Sequence, residues 1–214
     1  MPLIAQETSG KTFDPVSEGV HIAGCYGVVD LGTHTDEYKG TTRDRHEVVF
    51  LYEIPDERID LDRDGETVNL PRAISRRMTL SLSEKSNMRP YLESWRGKKF
   101  TRDELGGFDL SRLPGAFCQL QVLHNVSASN GRTYANIASI MPLPKGQTPP
   151  PLENDVQFYS IADHGTDIPE NIPDWMCEII RESHEWAELA GNGAATVADA
   201  APDFTDSDDE SLPF

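Results

Sequence analysis

The chain has 214 residues, 37% hydrophobic and 26% charged, and its 19 Lys and Arg against 36 Asp and Glu give a formal charge of −17. That length fits one domain plus appendages. No apolar run nears the roughly 20 residues of a membrane span and no charged-then-apolar leader is visible, so neither a span nor a signal peptide is expected. Cys25, Cys118 and Cys177 are odd in number and far apart, which predicts free buried thiols in a reducing compartment rather than a disulfide framework.

Residues 1–17 mix polar residues with Gly10 and Pro15 and read as a flexible N-terminal arm. The first strand is predicted over Val20–Leu31, where Gly24 and Gly27 suit a long, bent strand. His34–Asp44 reads as a polar loop. His46–Ile54 is the second strand, with Val48, Phe50, Tyr52 and Ile54 on one face by the two-residue period. Pro55–Gly65 reads as a solvated acidic loop. Its Asp60, Asp62 and Asp64 lack the closing Glu of a calcium loop, and no metal is expected there. Arg72–Leu82 is the third strand, with Ile74, Arg76, Met78, Leu80 and Leu82 facing one way and Ser75, Arg77, Thr79 and Ser81 the other. Ser86 can cap a helix over Asn87–Trp95 that Gly97 ends. Ala116–His124 and Arg132–Met141 are the fourth and fifth strands, joined through Asn130-Gly131. Three strands, a helix and two strands form the order of a five-stranded OB-fold barrel, with the helix between strands 3 and 4, and residues 18–146 are assigned to it as a nucleic-acid-binding domain.

Residues 147–190 read as a Pro-rich spacer and an amphipathic helix. Asp155–Asp163 can add a short strand or pack on the barrel through Val156, Phe158 and Ile161. Pro173–Ala190 is helical, with Trp175, Met176, Ile179 and Ile180 on one face. Residues 191–214 read as a disordered acidic tail. Its last twelve residues hold five carboxylate side chains before a closing Leu-Pro-Phe, too little apolar surface to offset ordering entropy. An acidic string with one terminal ring suits a basic partner surface with a small apolar pocket. The expected partner-binding residues are Asp206, Asp208, Asp209, Glu210, Leu212, Pro213 and Phe214.

Charge is divided along the chain. From Gln147 to Phe214 one basic residue, Arg181, faces sixteen acids, whereas Thr67–Arg102 holds nine basic residues and only Glu84 and Glu93 as acids. A near-neutral core with one basic stretch is compatible with single-strand binding, which needs cations for phosphates and flat side chains for bases. The expected contacts are Tyr38, Lys39, Arg43, His46, Tyr52, Arg72, Arg76, Arg77, Lys85, Arg89, Tyr91, Arg96, Lys98, Lys99, Phe100, Arg132 and Tyr134. Tyr26, Phe50 and Trp95 are further aromatics near them, with Phe50 and Trp95 read mainly as core. Other chemistry lacks a pattern: the six histidines show no pair at ligand spacing, and neither a phosphate-binding loop nor a serine nucleophile turn is present. Neither a cofactor nor an enzymatic activity is expected.

The phrases Thr-Leu-Ser-Leu-Ser-Glu-Lys-Ser-Asn at 79–87, Leu-Glu-Ser-Trp-Arg-Gly at 92–97, Tyr-Ala-Asn-Ile at 134–137 and Leu-Pro-Lys-Gly at 143–146 resemble a family of phage single-stranded DNA-binding proteins. The acidic tip resembles that of bacterial and phage proteins of the same kind. The resemblance implies a protein of the bacterial host cytoplasm that coats displaced strands in DNA replication, recombination and repair and recruits partner enzymes through its tip. The tryptophan pattern of the bacterial homotetramers is not visible, so monomer and dimer both stay open. The rival expectation is a DNA-mimicking or adaptor protein that binds or inhibits a host DNA-processing enzyme.

Overall fold

The structure, a computed structural model, describes residues 14–38, 40–63 and 65–198. Among the described residues it is mainly β: one six-stranded sheet and five helices. The strands are β1 (Gly19–Tyr38), β2 (Thr41–Arg63), β3 (Glu66–Thr79), β4 (Phe117–Val126), β5 (Thr133–Pro142) and β6 (Gln157–Tyr159). The helices are α1 (Met88–Arg96), α2 (Arg102–Gly106), α3 (Ile161–His164), α4 (Asp174–Arg181) and α5 (His184–Ala198). Neighbours run in the order β3-β2-β1-β4-β5, all antiparallel, and β6 lies parallel to β1. The sheet is open between β3 and β5. There the Arg76 guanidinium donates to the Ile137 carbonyl of β5.

The five strands and the helix between β3 and β4 stand where expected, but two predicted loops do not. His34–Asp44 belongs to a hairpin that joins β1 and β2 up to the Tyr38–Thr41 pair. Pro55–Gly65 belongs to a second arm, paired from Arg58–Pro71 out to Arg63–Glu66 after a bulge beyond Ile54. The alternation Ile59-Asp60-Leu61-Asp62 is strand patterning that the acidic count concealed. The N-terminal arm is partly fixed: Val16 is buried in the core, and its carbonyl accepts from His124 Nε2 at 2.8 Å.

Two apolar cores lie on opposite faces of β1 and β2. Inside the curved sheet, Val28, Phe50, Tyr52, Ile54, Leu120 and Ile140 pack with Met88, Leu92 and Trp95 of α1. Gly97 ends that helix at φ 65°, its N–H reaching the Glu93 and Ser94 carbonyls. On the outer face, Val29, Leu31, Val49 and Leu51 are buried under Tyr159, Ile161, Ile172, Met176 and Ile180. This explains the unbroken apolar run of β2, which is covered on both sides.

The C-terminal segment forms a strap on the sheet: as expected, Asp155–Asp163 adds a short strand and packs through Phe158 and Ile161, whereas Val156 is exposed. Glu53, fully buried, accepts from the backbone N–H of Glu153 at 3.0 Å and Asn154 at 2.7 Å, and from the Asn154 side-chain amide at 2.6 Å. An unpaired carboxylate could not be buried at this depth without large cost. The helix predicted over Pro173–Ala190 is divided at Glu182–Ser183. Ser183 is buried against Gly32, and its Oγ accepts from the Trp186 N–H at 3.2 Å, capping α5. Gly32 has φ 77°, and a Cβ there would stand 2.4 Å from Ser183 Cβ. α5 runs on to Ala198, past the point where the tail was expected to begin.

Candidate nucleic-acid interface

Strand β3 carries the centre of the basic stretch. Its alternation turns Ile74 and Met78 toward the core and leaves Ser75, Arg77 and Thr79 exposed, as expected; Leu80 and Leu82 lie beyond the strand, and Leu80 is exposed. Arg72 and Arg76 share the Ile74 face, about 13 Å apart along the strand.

Around Arg72 the β2–β3 arm, residues 14–16 and the start of β5 enclose an open trough of about 850 Å³. Arg72, Arg132 and Tyr134 all line it. Arg72 donates to the Asp14 carbonyl, and Tyr134, 47% exposed, has its hydroxyl held by the Asn130 side-chain amide at 3.0 Å. At the other end of β3 a groove of about 450 Å³ is lined by Arg45, Arg76, Arg77 and Lys85 with Ser81, Ser83, Ser86 and Asn87. Arg76 lines this groove, four residues along β3 from Arg72 in the trough. The groove is not purely cationic. Arg77 makes two hydrogen bonds to Glu47, and Arg45 lies 3.3 Å from Asp36. The Arg45–Asp36 pair is exposed on both sides, and Arg77 is exposed although Glu47 is mostly covered, so an arriving phosphate can compete for the guanidinium groups.

Several expected contacts lie elsewhere. Tyr52 is fully buried, and Tyr91 and Phe100 are nearly so; these three are core residues and present no face to a base, while Phe50 and Trp95 are core as expected. Tyr91 donates to the Tyr52 hydroxyl at 2.8 Å, and burial pushes both phenols above their ordinary range. Tyr26 packs beneath the strap. His46 is also taken by that side. Its Nε2 donates to Asp30 Oδ1 at 2.6 Å and its Nδ1 lies 3.7 Å from Glu185 of α5. The Asp30 hydrogen bond raises the His46 pKa, against burial and with help from the charges of Asp30 and Glu185.

Arg89 and Arg96 of α1 and Lys98 of the connector lie beside acids. Arg89 lies 3.3 Å from Glu93, Arg96 pairs with Glu104, and Lys98 lies 3.8 Å from Glu104. Arg96 also sits 4.4 Å over the Phe100 ring and 4.9 Å from that of Phe108. Half-buried and stacked, it staples the connector to α1 rather than facing a strand. The Phe100 N–H first, then Arg89 and Lys99, hold Glu93 below its usual range; the Thr101 N–H first, then Arg96 and Lys98, do so for Glu104. Lys99 itself is exposed. Tyr38 closes β1 opposite Thr41, and Arg43 lies opposite Asp36, both on the β1–β2 hairpin. Lys39 and the tip residues Asp206, Asp208, Asp209, Glu210, Leu212, Pro213 and Phe214 lie outside the described residues.

The structure thus gathers Arg72, Arg132 and Tyr134 in one trough and Arg76, Arg77 and Lys85 in the adjoining groove. Arg45, which fell between the predicted loop and the predicted second strand and is paired with His34 in the hairpin, and the serine hydroxyls of residues 81–86 were not among the expected contacts. No protein-family model, curated protein or solved structure matches the chain.

Proposed function

We propose that the protein is a non-enzymatic single-stranded DNA-binding protein, and that the strand runs along β3 from the trough at Arg72 past Arg76 to the groove at Arg77 and Lys85. The observation that carries this reading is the meeting of Arg72 with Arg132 and Tyr134, sixty residues away in sequence, around one open concavity. Guanidinium groups beside an exposed ring supply both requirements of sequence-tolerant binding, phosphate neutralisation and base stacking. The strand order, the helix between β3 and β4, and the Arg76 bridge to β5 support reading the fold as an OB barrel whose last seam is closed by a side chain instead of a ladder. In this reading the acidic tip recruits replication, recombination and repair enzymes of a bacterial host in which a phage replicates, and the tether raises their local concentration near coated DNA.

The test is a titration of labelled oligothymidine at several salt concentrations. Affinity should fall on a log–log slope of about −0.7 per phosphate neutralised, and duplex should bind more weakly. Salt-independent or duplex-preferring binding refutes the reading. Anisotropy is the suitable signal, because Trp95 is core and Trp175 and Trp186 belong to the strap.

One observation favours a second reading, a DNA-mimicking or adaptor protein. The formal charge is −17, and Glu47 and Asp36 already partner Arg77 and Arg45. Inhibition of a host DNA-processing enzyme, without oligothymidine binding, would select it.

A further inference from the structure

The β2–β3 arm has two unlike faces. Ile59 pairs with Leu70 and Leu61 with Val68, so the two-residue period sets these four side chains on one side. Asp60, Asp62, Thr67 and Asn69 occupy the other. Ile59, Leu61 and Leu70 line the trough whose far wall includes Tyr134, and they are half-buried and part of neither core. The arm is braced from outside the trough: Arg58 donates to the Asn69 side chain at 2.7 Å and carbonyl at 2.8 Å and pairs with Glu153 of the strap. Asn69 in turn donates to Asp60 at 2.6 Å. A two-stranded ribbon is marginal alone; here polar bonds on its acidic face hold an apolar face open to water.

Resting on the single-strand reading above, we propose that the apolar face of this arm is a base-contacting surface. Unpaired bases lie between Ile59, Leu61 and Leu70 on one wall and the Tyr134 ring on the other, and Arg72 and Arg132 take the neighbouring phosphates. Charge selects the occupant's backbone, since Arg72 and Arg132 outnumber Asp14 among the charged residues that line the trough, while Asp60 and Asp62 occupy the arm's other face. The apolar walls select flat, unstacked bases, which a duplex keeps inside its stack. Part of the affinity is therefore independent of salt, because burying apolar surface releases no counterions.

The experiment compares oligothymidine titrations of the full chain, wild type against Ile59→Ser/Leu61→Ser, Thr67→Ala and Arg72→Gln/Arg132→Gln, with hydrogen exchange reporting that the arm remains paired. The arm double variant should lose about tenfold in affinity at every salt concentration, the equivalent of about 1.4 kcal/mol, with its slope unchanged. Thr67→Ala, on the acidic face, should match wild type. Arg72→Gln/Arg132→Gln should lose affinity and also about 0.7 of slope per phosphate contact. Wild-type affinity in a double variant with a paired arm overturns the proposal, as does a loss equalled by Thr67→Ala. A peptide of residues 203–214 that binds wild type but not the double variant, while oligothymidine binds both alike, assigns the trough to a peptide and also overturns it. A wild-type chain that fails to bind oligothymidine refutes the single-strand reading itself, a result distinct from these.

Discussion

Replacing Glu53 with alanine should destabilise the protein by about 3–5 kcal/mol. The carboxylate is fully buried and accepts from three groups of the strap: the Glu153 N–H, the Asn154 N–H and the Asn154 side-chain amide. Alanine removes the acceptor and leaves those donors over a hole. Each unpaired buried donor costs about 1–3 kcal/mol. Residues 153 and 154 border solvent, so water can recover part of the loss, which puts the total in the lower half of that sum. Glutamine at 53 keeps one acceptor oxygen for Asn154 but turns an amide toward a donor, and about 1–2 kcal/mol is expected. Urea unfolding with linear extrapolation measures the differences. Hydrogen exchange adds a signature that simple core damage lacks: amides of residues 153–190 should lose protection before those of β4 and β5. An alanine variant within about 1 kcal/mol of wild type, or exchange changes confined to β2, refutes the claim that Glu53 fastens the strap.

His46 links stability to pH. Its folded pKa is raised, chiefly by the hydrogen bond to Asp30, so its contribution is fully present below the unfolded histidine value of about 6.5 and is lost as pH rises through the folded value; the urea midpoint should fall as pH rises above about 6.5, and His46→Gln should flatten that component. Gly32→Ala places a Cβ 2.4 Å from Ser183 Cβ at φ 77° and should cost about 2–4 kcal/mol. Gly40→Ala, at φ 73° with nothing within 4 Å, should cost only about 1 kcal/mol; equal costs in the two variants would show that the Ser183 contact is unimportant. Arg96→Lys should lose about 1 kcal/mol of stability with the stacking on Phe100 and Phe108 and leave the oligothymidine salt slope unchanged; a shallower slope would return Arg96 to the strand path.

Local chemistry carried the strands and the first helix. Alternation in Val48–Ile54 and Ile74–Met78, the Asn130-Gly131 turn and the Gly97 stop each act within a few residues, and each is readable in isolation. What failed depended on distant partners. Glu53 meets Glu153 and Asn154 about a hundred positions away, and nothing near it shows that it is buried. Tyr52 lies in the same run as Phe50, and its hydroxyl satisfies itself on Tyr91, so a polar tip that suggested a wet face is spent inside the core. Arg96 looked like one more cation until Phe100, Phe108 and Glu104 enclosed it. The arm was misread because Asp60 and Asp62 dominated the composition of a segment whose alternate residues are apolar.

The strap also bears on where a ligand of the sheet can be met. β1 and β2 bury their outer residues Val29, Leu31, Val49 and Leu51 under the strap, and each such side chain contributes about 1.5–3 kcal/mol through burial. Exposing that face to a polynucleotide would forfeit several of these contributions together with the Glu53 bonds, a loss that contacts to a few phosphates could not offset. The β3–β5 side requires no such sacrifice. Arg77, Arg132 and Tyr134 there are already exposed, Arg76 spans the seam by one hydrogen bond rather than a ladder, and Arg72 and Arg76 are held by single backbone carbonyls rather than by buried acids. On the proposed single-strand reading, a sheet whose β1–β2 outer face is closed by its own chain, and whose remaining basic edge is a seam, leaves that seam as the place where the least native structure has to be given up for binding.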